Sequence, residues 1–575
     1  MSTHVVTVVF AAGALAATVA SGALGGRFFG RAPGSPAGGS RPWSANGRIP
    51  SGSGARPWAW SPGPSCRGAL VRTRGDTIRG ARWAERRDLA PLLLRRDTGS
   101  GRLVLGETAG PWARHTVAAE RSQSVAVVGP TQSGKTTAVA VPALLGWEGP
   151  VLAASVKTDL VRDTLEHRRR CGTVWCFDPA RTTGLVAASW SPIAAARSWP
   201  AARRVAADLT EVTKGEGTTA DGEFWYATAA KLLAPLFFAA AVSGATIRDV
   251  ARWVDEQESE EVTEILHSAG VPEALQAARA TWLRDDRQRS AIYTTAETIL
   301  EPFAQAEGSA ADHGADAATA GHRPDDTPPY GTPSYYGTPS LTAPFPEEGS
   351  AAIDPAALLG GRHTLYLCAP AHDQRRLRAL FVALVNQVLD AAFAKASRQG
   401  SPLDPPLLVL LDEAANIAPL RELDAIAATG AGHGIQLVTV WQDLAQVRAR
   451  YGERAATVVN NHRAKLFLPG IADPATLDFA SQLAGDEELD APSVSFGARG
   501  ERTVTTSPTV RRLLPTDTLR RQPPGTAVLV YGSLPPARIR LRAWYRDPVL
   551  VERAGRAGTT AALGVRRRRP LQSRR

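Results

Sequence analysis

The sequence predicts an α/β protein with a largely parallel sheet, an inserted all-helical domain and an N-terminal membrane anchor. Three observations carry this prediction: short β-branched runs that end in loops, a long stretch of helical periodicity, and an apolar run near the N-terminus. Buried strands that alternate with helices are typical of parallel α/β sheets. At 575 residues the chain is long enough for two or three domains.

The strand signal consists of seven short apolar runs. Each is rich in Val, Ile or Leu and is followed by a loop, as expected for strands that are covered on both faces of a sheet. The runs occupy residues 124–129, 150–156, 173–178, 363–369, 406–413, 435–441 and 464–470. They place the first part of the α/β domain at 67–198 and the second part at 351–552.

Residues 199–307 separate the two parts and predict an all-helical domain. Within them, 249–270 is a charged helical stretch and 224–242 is strongly apolar. Lys231 and Pro235 interrupt the apolar run, so we interpret it as a buried helix and not as a membrane span.

A second break in the pattern lies at 308–350, which is dominated by Ala, Asp, Gly, Pro and Thr. The pentapeptide Tyr-Gly-Thr-Pro-Ser occurs there twice, at 330–334 and 336–340. Such a composition cannot bury enough apolar surface to offset its ordering entropy, so it predicts a disordered insert.

The apolar run near the N-terminus covers residues 5–26 and carries no charge. Its length suits a bilayer, and the first arginine, Arg27, follows it, so the positive-inside rule predicts a single span with the N-terminus outside. We therefore expect a membrane anchor at 1–29, a Gly/Pro-rich tether at 30–66 and a cytoplasmic main body. A cleaved or merely flexible segment is the alternative.

The charge of +11 is unevenly distributed. Residues 1–114 carry 16 Arg against 5 acids and residues 551–575 carry 8 Arg against one, which leaves −7 for residues 115–550. Most of the chain therefore does not belong to a protein that binds nucleic acid through a generally cationic surface. The basic tail at 553–575 is predicted to be disordered and available to a membrane or DNA.

Four cysteines, Cys66, Cys171, Cys176 and Cys368, form neither a Cys-x-x-Cys pair nor a zinc-like cluster. In a chain of this length they favour a reducing compartment and no disulfide framework. We expect Cys171 and Cys176 to be ordinary core residues.

The strongest motif follows the first run and fits G-x-x-x-x-G-K-[ST] in a strand–loop–helix context. Backbone N–H groups of such a loop wrap phosphates at a helix N-terminus. Lys135 would reach the β- and γ-phosphates, and Thr136 would ligate Mg²⁺. The predicted nucleotide-binding residues are Gly129, Pro130, Thr131, Gln132, Ser133, Gly134, Lys135, Thr136 and Thr137.

A nucleotide hydrolase also needs a carboxylate site, which we expect on a neighbouring strand. The run at 406–413 ends in Asp412 and Glu413. Asp412 would hold Mg²⁺ through water, and Glu413 would polarise the attacking water. The next run ends at Gln442, whose amide could sense the γ-phosphate.

With these elements the chain resembles the type IV secretion coupling proteins, the TraG/TraD-like conjugative DNA-transfer ATPases, and especially their actinobacterial branch. The resemblance covers roughly 100–545. Its most specific part is LLDEAANIAPLRELDAIAATGAGHGIQLVTVWQDLAQVRARYG at 410–452. Further matching segments are GPTQSGKTT (129–137), SVKTDL (155–160), FDP (177–179), WSPI (190–193), FWYATAAKLLAPL (224–236) and NNHRAKLFLPG (460–470).

The resemblance implies a membrane-anchored hexamer of a RecA-like motor with an inserted all-helical domain. It implies that Lys135 and Thr136 bind ATP–Mg²⁺. It also implies that Asp412 holds the metal, that Glu413 polarises the attacking water, and that Gln442 senses the γ-phosphate. Lys157 and Asp159 stand where similar proteins place a Lys and an acid beside the nucleotide. The alternative is that Lys157 and Asp159 have a structural role and form a salt bridge at the end of the strand.

Two features depart from the family pattern. Many members have two membrane spans before the motor, whereas one candidate is visible here. The stretch 428–434 carries no Arg where several relatives have a trans-acting finger, which leaves Arg421, Arg448, Arg450 and Arg463 as candidates.

The sequence thus predicts an ATPase that drives single-stranded DNA, with a relaxase-type protein, into a type IV secretion channel. The first alternative is an FtsK-like double-stranded DNA translocase, which a winged-helix domain after the motor would favour. Residues 546–575 are too few for such a domain. The second alternative is a receptor in which 199–305 recognises a protein and ATP only sets assembly.

Overall fold

The computed structural model describes residues 80–94, 101–109, 114–214, 220–308, 352–369, 374–496 and 502–555. The predicted anchor at 1–29, the tether at 30–66, nearly all of the insert at 308–350 and the tail beyond 555 lie outside the described residues.

The described strands form one eleven-stranded sheet and a separate two-stranded hairpin. The order in the main sheet is β2-β1-β13-β12-β9-β3-β8-β7-β4-β6-β5. The strands are β1 Val104–Thr108, β2 Thr116–Ala118, β3 Val125–Val128, β4 Val151–Ser155, β5 Val174–Phe177, β6 Thr364–Cys368, β7 Leu407–Leu411, β8 Ile435–Trp441, β9 Ala464–Phe467, β10 Asp486–Phe496, β11 Arg502–Arg512, β12 Thr526–Tyr531 and β13 Ala537–Arg540.

Helices cover both faces of the main sheet and fill the interval between β5 and β6. They are α1 Val141–Gly146, α2 Asp159–Cys171, α3 Trp199–Thr213, α4 Ala220–Ser243, α5 Ile247–Asp255, α6 Glu260–Ser268, α7 Pro272–Trp282, α8 Asp286–Gly308, α9 Pro355–Leu358, α10 Gln374–Gln399, α11 Leu423–Thr429, α12 Leu444–Tyr451, α13 Ala455–Asn461, α14 Pro474–Ala484, α15 Thr516–Arg520 and α16 Pro548–Arg553.

The seven predicted runs are the seven strands from β3 to β9, and all of their mutual pairings are parallel. The predicted α/β class is therefore confirmed. The expected adjacency of the phosphate-loop strand and the acidic strand is wrong, because β8 lies between β3 and β7 and pairs with both. Four further strands extend the sheet beyond β9 with antiparallel pairings.

The segment between β5 and β6 is helical wherever the structure describes it, with α3 to α8 in succession. The charged stretch 249–270 is not one helix: it divides into α5 and α6, and Gln257 between them has a positive φ of 52°. Buried side chains of α4, such as Phe237, belong to the same hydrophobic cluster as Leu152 of the sheet. Whether these helices form a domain of their own stays a prediction.

Two of the described helices, Gly222–Ser243 and Leu377–Gln399, are long and apolar enough to cross a membrane by length and composition. In each of them 61% of the apolar window is buried inside the fold. Core helices pass the same test, so the two helices are weak evidence for membrane spans, and the burial agrees with the predicted buried helix at 224–242.

Alternate residues along the strands face opposite layers. Leu152 and Ala154 of β4 pack with the helical segment and α10, whereas Val151 and Ala153 pack with α1, α2 and α16. Because the strands are parallel, the carboxyl ends of β3, β4, β7 and β8 meet at one edge. Every candidate nucleotide-site residue lies along that edge.

Candidate nucleotide site

The phosphate loop leaves β3 through a position that only glycine can occupy. The Gly129 N–H donates to the carbonyl of Trp441 at 3.1 Å, and a Cβ at this position would lie 2.7 Å from the Cβ of Leu468. Gln132 and Gly134 have positive φ values of 63° and 94°. These conformations curl the chain so that Thr136 opens the helical turn 136–140, which continues into α1.

The loop holds the ammonium group of Lys135 over its own backbone. Lys135 Nζ donates to the carbonyls of Gly129 and Pro130, each at 2.6 Å, and the Ser133 hydroxyl donates to the Pro130 carbonyl at 2.7 Å. Burial lowers the pKa of Lys135, whereas the negative charges of Asp412 and Glu413 raise it. The amine therefore lies within electrostatic reach of both predicted carboxylates.

The phosphate loop and the acidic strand meet directly at Asp412. The hydroxyls of Thr136 and Ser155 both donate to Oδ2 of Asp412, at 3.1 and 3.4 Å, although β8 separates the two strands. Ser155 ends β4, and its hydroxyl also accepts the Lys157 N–H at 3.2 Å. Three strand ends thus bring one carboxylate and two hydroxyls together.

Asp412 is almost completely buried. Burial raises its pKa to about 6, the hydrogen bond from Thr136 and the charge of Lys135 lower it, and the negative charges of Glu413 and Asp159 raise it. A cation at this point would oppose the effect of burial and keep the carboxylate ionised.

Glu413 begins a sharp turn and is less buried than Asp412. Its φ is 65°, and its Oε2 accepts a hydrogen bond from the Asn416 side chain at 3.3 Å. The next N–H, that of Ala414, donates to the carbonyl of Val440 in β8 at 3.2 Å. The turn is therefore fixed to β8, which ends next to Gln442.

Gln442 follows β8 and is half-buried. Its N–H donates to the side-chain oxygen of Gln446 at 3.0 Å, and Asp443 caps α12 by accepting the Gln446 N–H at 2.9 Å. Within the described residues the Gln442 side chain makes no hydrogen bond to the phosphate loop or to the acids. Its predicted role as a sensor stays a prediction.

Lys157 and Asp159 lie close enough to act on the site through charge. Lys157 lowers the pKa of Lys135, and Asp159 raises that of Asp412. Oδ1 of Asp159 is buried and has no hydrogen-bond partner among the described residues. The salt-bridged alternative gains no support, since neither side chain has an ion pair in the described part of the chain.

The donor set fits a magnesium nucleotide. The Thr136 hydroxyl and the Asp412 carboxylate are the hard oxygen ligands that Mg²⁺ prefers, and Lys135 supplies the cation for the phosphates. A Cβ on Gly134 would meet no heavy atom closer than 3.8 Å, so the space beside the loop is open. Bound Mg²⁺ would polarise the phosphate oxygens.

The arginines considered as fingers differ in their surroundings. Arg421 pairs with Glu211 at 3.2 Å, and Arg463 pairs with Glu120 at 3.0 Å and lies 5.5 Å from the ring of Tyr531. Arg448 is exposed and Arg450 is half-buried on α12. None of the four is distinguished by geometry in a single chain.

Sequence reasoning missed Ser155, Asn416 and Gln446 as site neighbours. Ser155 could have been found, since it is the last residue of a run whose carboxyl end must share an edge with Asp412. Asn416 and Gln446 could not, because their contacts depend on turns that the motif does not specify.

This geometry, a phosphate loop beside a buried carboxylate at the carboxyl edge of a parallel sheet, fits an α/β protein of the nucleotide-binding class. A family model described as type IV secretory system conjugative DNA transfer matches residues 73–316, and one described as the TraM recognition site of TraD and TraG matches 406–524. The chain belongs to the type IV secretion coupling proteins.

Relatives extend over most of the chain at low identity. The conjugal transfer protein TraG of Rhizobium radiobacter is 25% identical over 436 residues, 72% of this chain and 60% of that protein. Protein VirD4 of Rhizobium rhizogenes is 23% identical over 461 residues, which are 78% of this chain and 62% of that protein. The chain thus spans about 60% of the length of these relatives.

Solved structures show the same fold. The plasmid coupling protein TrwB in complex with ADP and Mg²⁺ superposes with a TM-score of 0.55 at 16% identity, over 81% of this chain and 94% of that chain. An unbound form of TrwB gives a TM-score of 0.53 at 17% identity, over 74% of this chain and 86% of that chain.

Proposed function

We propose that the chain is a membrane-anchored ATPase that couples ATP hydrolysis to the translocation of single-stranded DNA, with a relaxase-type protein, into a type IV secretion channel. The observation that carries the proposal is the convergence of Thr136 and Ser155 on Asp412. It joins the phosphate loop to a carboxylate two strands away, as a hydrolase requires. Membership of the coupling proteins supports it, and so do the complexes of TrwB with ADP and Mg²⁺ and with a non-hydrolysable ATP analogue.

In this mechanism Lys135 and the loop N–H groups would hold the phosphates, and Thr136 and Asp412 would hold Mg²⁺. Glu413 orients a water and accepts its proton as the water attacks the γ-phosphorus in line, and the bond from that phosphorus to the bridging oxygen breaks to give ADP and phosphate. Gln442 would report the change, since it directly follows β8, the strand between the phosphate-loop strand and the acidic strand. A homo-hexamer would place DNA in a central channel, where the acidic main body needs only a few cations.

The first test measures ATP hydrolysis with single-stranded DNA, with duplex DNA and without DNA at low salt. We expect stimulation by single strands and a loss of about 100-fold or more in Lys135→Ala. Stronger stimulation by duplex DNA would favour the FtsK-like alternative. Hydrolysis that neither DNA stimulates nor Lys135→Ala reduces would reject the motor.

The second test separates a motor from an ATP-gated receptor. Glu413→Gln should bind ATP with unchanged affinity and lose about 100-fold or more in turnover, because the water loses its orienting carboxylate. Glu453→Gln, which removes an exposed acid from the same part of the chain, is the matched control. DNA transfer that persists in Glu413→Gln would favour the receptor.

A further inference from the structure

The carboxylate of Glu413 is held at one of its two oxygens. Its Oε2 accepts a hydrogen bond from Nδ2 of Asn416 at 3.3 Å, and its Oε1 accepts none from the part of the chain that the structure describes. An ionised carboxylate only accepts hydrogen bonds, so the Asn416 side chain must present its NH₂ group and not its oxygen. One oxygen of Glu413 is therefore fixed, and the other is available to a water.

The position of Asn416 is itself fixed by the turn that follows the acidic strand. The N–H groups of Asn416 and Ile417 both donate to the carbonyl of Glu413, at 2.9 and 3.3 Å. Ala414 and Ile417, on either side of Asn416, are buried, and the Ala414 N–H donates to β8. The amide of Asn416 therefore approaches Glu413 from a point that the fold determines.

The backbone of Glu413 is strained in a way that is typical of functional sites. Its φ of 65° lies in the left-handed region, which residues with a Cβ rarely adopt. Such a conformation persists only where the surrounding structure holds it in place. The result is a side chain within electrostatic reach of Lys135 and Asp412, since the negative charge of Glu413 raises the pKa of both groups.

The partner of Glu413 is a neutral amide. Among the described residues no lysine or arginine forms an ion pair with this carboxylate. A cation would also orient the carboxylate, but it would stabilise the negative charge strongly and oppose the transfer of a proton from water. An amide orients the group with a weaker effect on its charge, which suits a carboxylate that accepts a proton.

We propose that Asn416 is a positioning residue for hydrolysis, which fixes the Glu413 carboxylate so that its free oxygen meets the attacking water. This inference rests on the proposed function, in which Glu413 orients that water. A glutamate side chain has several rotatable bonds, and a displacement of about 1 Å in a reacting group can reduce a rate by about 100-fold. Asn416 acts on the reaction only through Glu413.

The experiment measures steady-state ATP hydrolysis by the full chain, and binding of a fluorescent ATP analogue, both at saturating Mg²⁺. Asn416→Ala should lower kcat by about tenfold and leave KM and the affinity for the analogue within about twofold, because other residues hold the phosphates. Asn461→Ala is the matched control: it removes a half-buried amide that donates to the Asp424 carbonyl at 3.0 Å, and kcat should not change.

Two further variants separate positioning from a general effect on the fold. Asn416→Asp keeps the size of the side chain, cannot donate when ionised and repels Glu413, so it should lose at least as much turnover as Asn416→Ala. In the Glu413→Gln background there is no base left to position, so adding Asn416→Ala should cause no further loss. Melting temperatures of all variants show whether the turn still folds.

Unchanged turnover in Asn416→Ala and Asn416→Asp would overturn the proposal. So would a further loss in the double variant, which would indicate a structural role, or a raised rate without DNA, which would mean that the amide holds the carboxylate away from the water. If Glu413→Gln kept its turnover, the proposed mechanism of hydrolysis would fail and this inference with it. A loss in Glu413→Gln without one in the Asn416 variants would overturn only the role of Asn416.

Discussion

Ser155 shows how a small side chain can set the chemistry of a site. Its hydroxyl is fully buried, donates to Asp412 and accepts the Lys157 N–H, so it positions the carboxylate that would hold Mg²⁺. Groups that orient metal ligands typically contribute about 10- to 100-fold to metal affinity. We therefore treat Ser155 as a positioning residue.

Ser155→Ala should raise the Mg²⁺ concentration needed for half-maximal nucleotide binding by about tenfold, and nucleotide affinity at saturating Mg²⁺ should change little. A magnesium titration of a fluorescent ATP analogue measures both quantities. Ser243→Ala, which removes a hydroxyl bonded to its own helix, is the control. An unchanged magnesium midpoint would show that Thr136 alone positions Asp412.

At the residue scale the sequence predicted the residues whose spacing is local. Gly129 to Thr136 and the pair Asp412–Glu413 are adjacent in the chain, so a motif is sufficient to find them. The contact of Ser155 with Asp412 crosses 257 positions in the chain and depends on the pairing of β4 with β7. That pairing is a property of the whole sheet.

Among the elements, β8 is the strand that links the phosphate-loop strand to the acidic strand. It lies between β3 and β7, and a buried hydrogen-bond chain supports its end. The Trp441 indole donates to the Thr439 hydroxyl at 2.9 Å, Thr439 lies 3.0 Å from Nε2 of His462, and Nδ1 of His462 lies 2.7 Å from the Val458 carbonyl. All of these hydrogen bonds are satisfied when the His462 imidazole is neutral and carries its proton on Nδ1.

His462 should make the stability of the protein depend on pH. Its imidazole is fully buried, and burial lowers its pKa to about 4, below the 6.5 of an exposed histidine. Between these values the unfolded chain binds the proton and the folded chain does not, so stability falls as the pH falls from about 6.5 towards 4. The full loss is about 3 kcal/mol.

Urea unfolding at several pH values measures this dependence. His462→Gln should unfold with a smaller loss of stability between pH 6.5 and 4.5 than the unaltered chain. His167, whose pKa burial also lowers to about 4, is present in both proteins, so its effect cancels in the difference. Equal slopes in the two proteins would contradict the assignment.

The two hairpin strands that sequence reasoning missed differ physically from the seven strands that it found. β3, β4 and β6 to β9 are buried along their whole length, and β5, at the edge of the sheet, is half-buried at Val174 and Trp175, so all seven read as continuous apolar runs. β10 and β11 form a hairpin in which Val494, Val504 and Val510 are largely exposed, and its strands contain Pro492 and Pro508. Prolines and charges within a strand obscure the apolar pattern, so these residues read as loop.

At the scale of the molecule, the proposed ring makes the subunits depend on one another. If each nucleotide site works only within a hexamer whose other subunits are active, a subunit that binds ATP but cannot hydrolyse it stops the whole ring. Glu413→Gln is such a subunit, since its change leaves Lys135, Thr136 and Asp412 in place.

Mixing the unaltered chain with Glu413→Gln therefore tests assembly and mechanism together. In an equal mixture about 1 in 64 hexamers contains no altered subunit, so DNA-stimulated hydrolysis should fall to a few per cent of that of the unaltered chain. The activity is measured across mixing ratios, with Glu453→Gln as the neutral partner. A loss that simply follows the fraction of altered chain would show that each subunit works alone, and the central channel would then have no part in the mechanism.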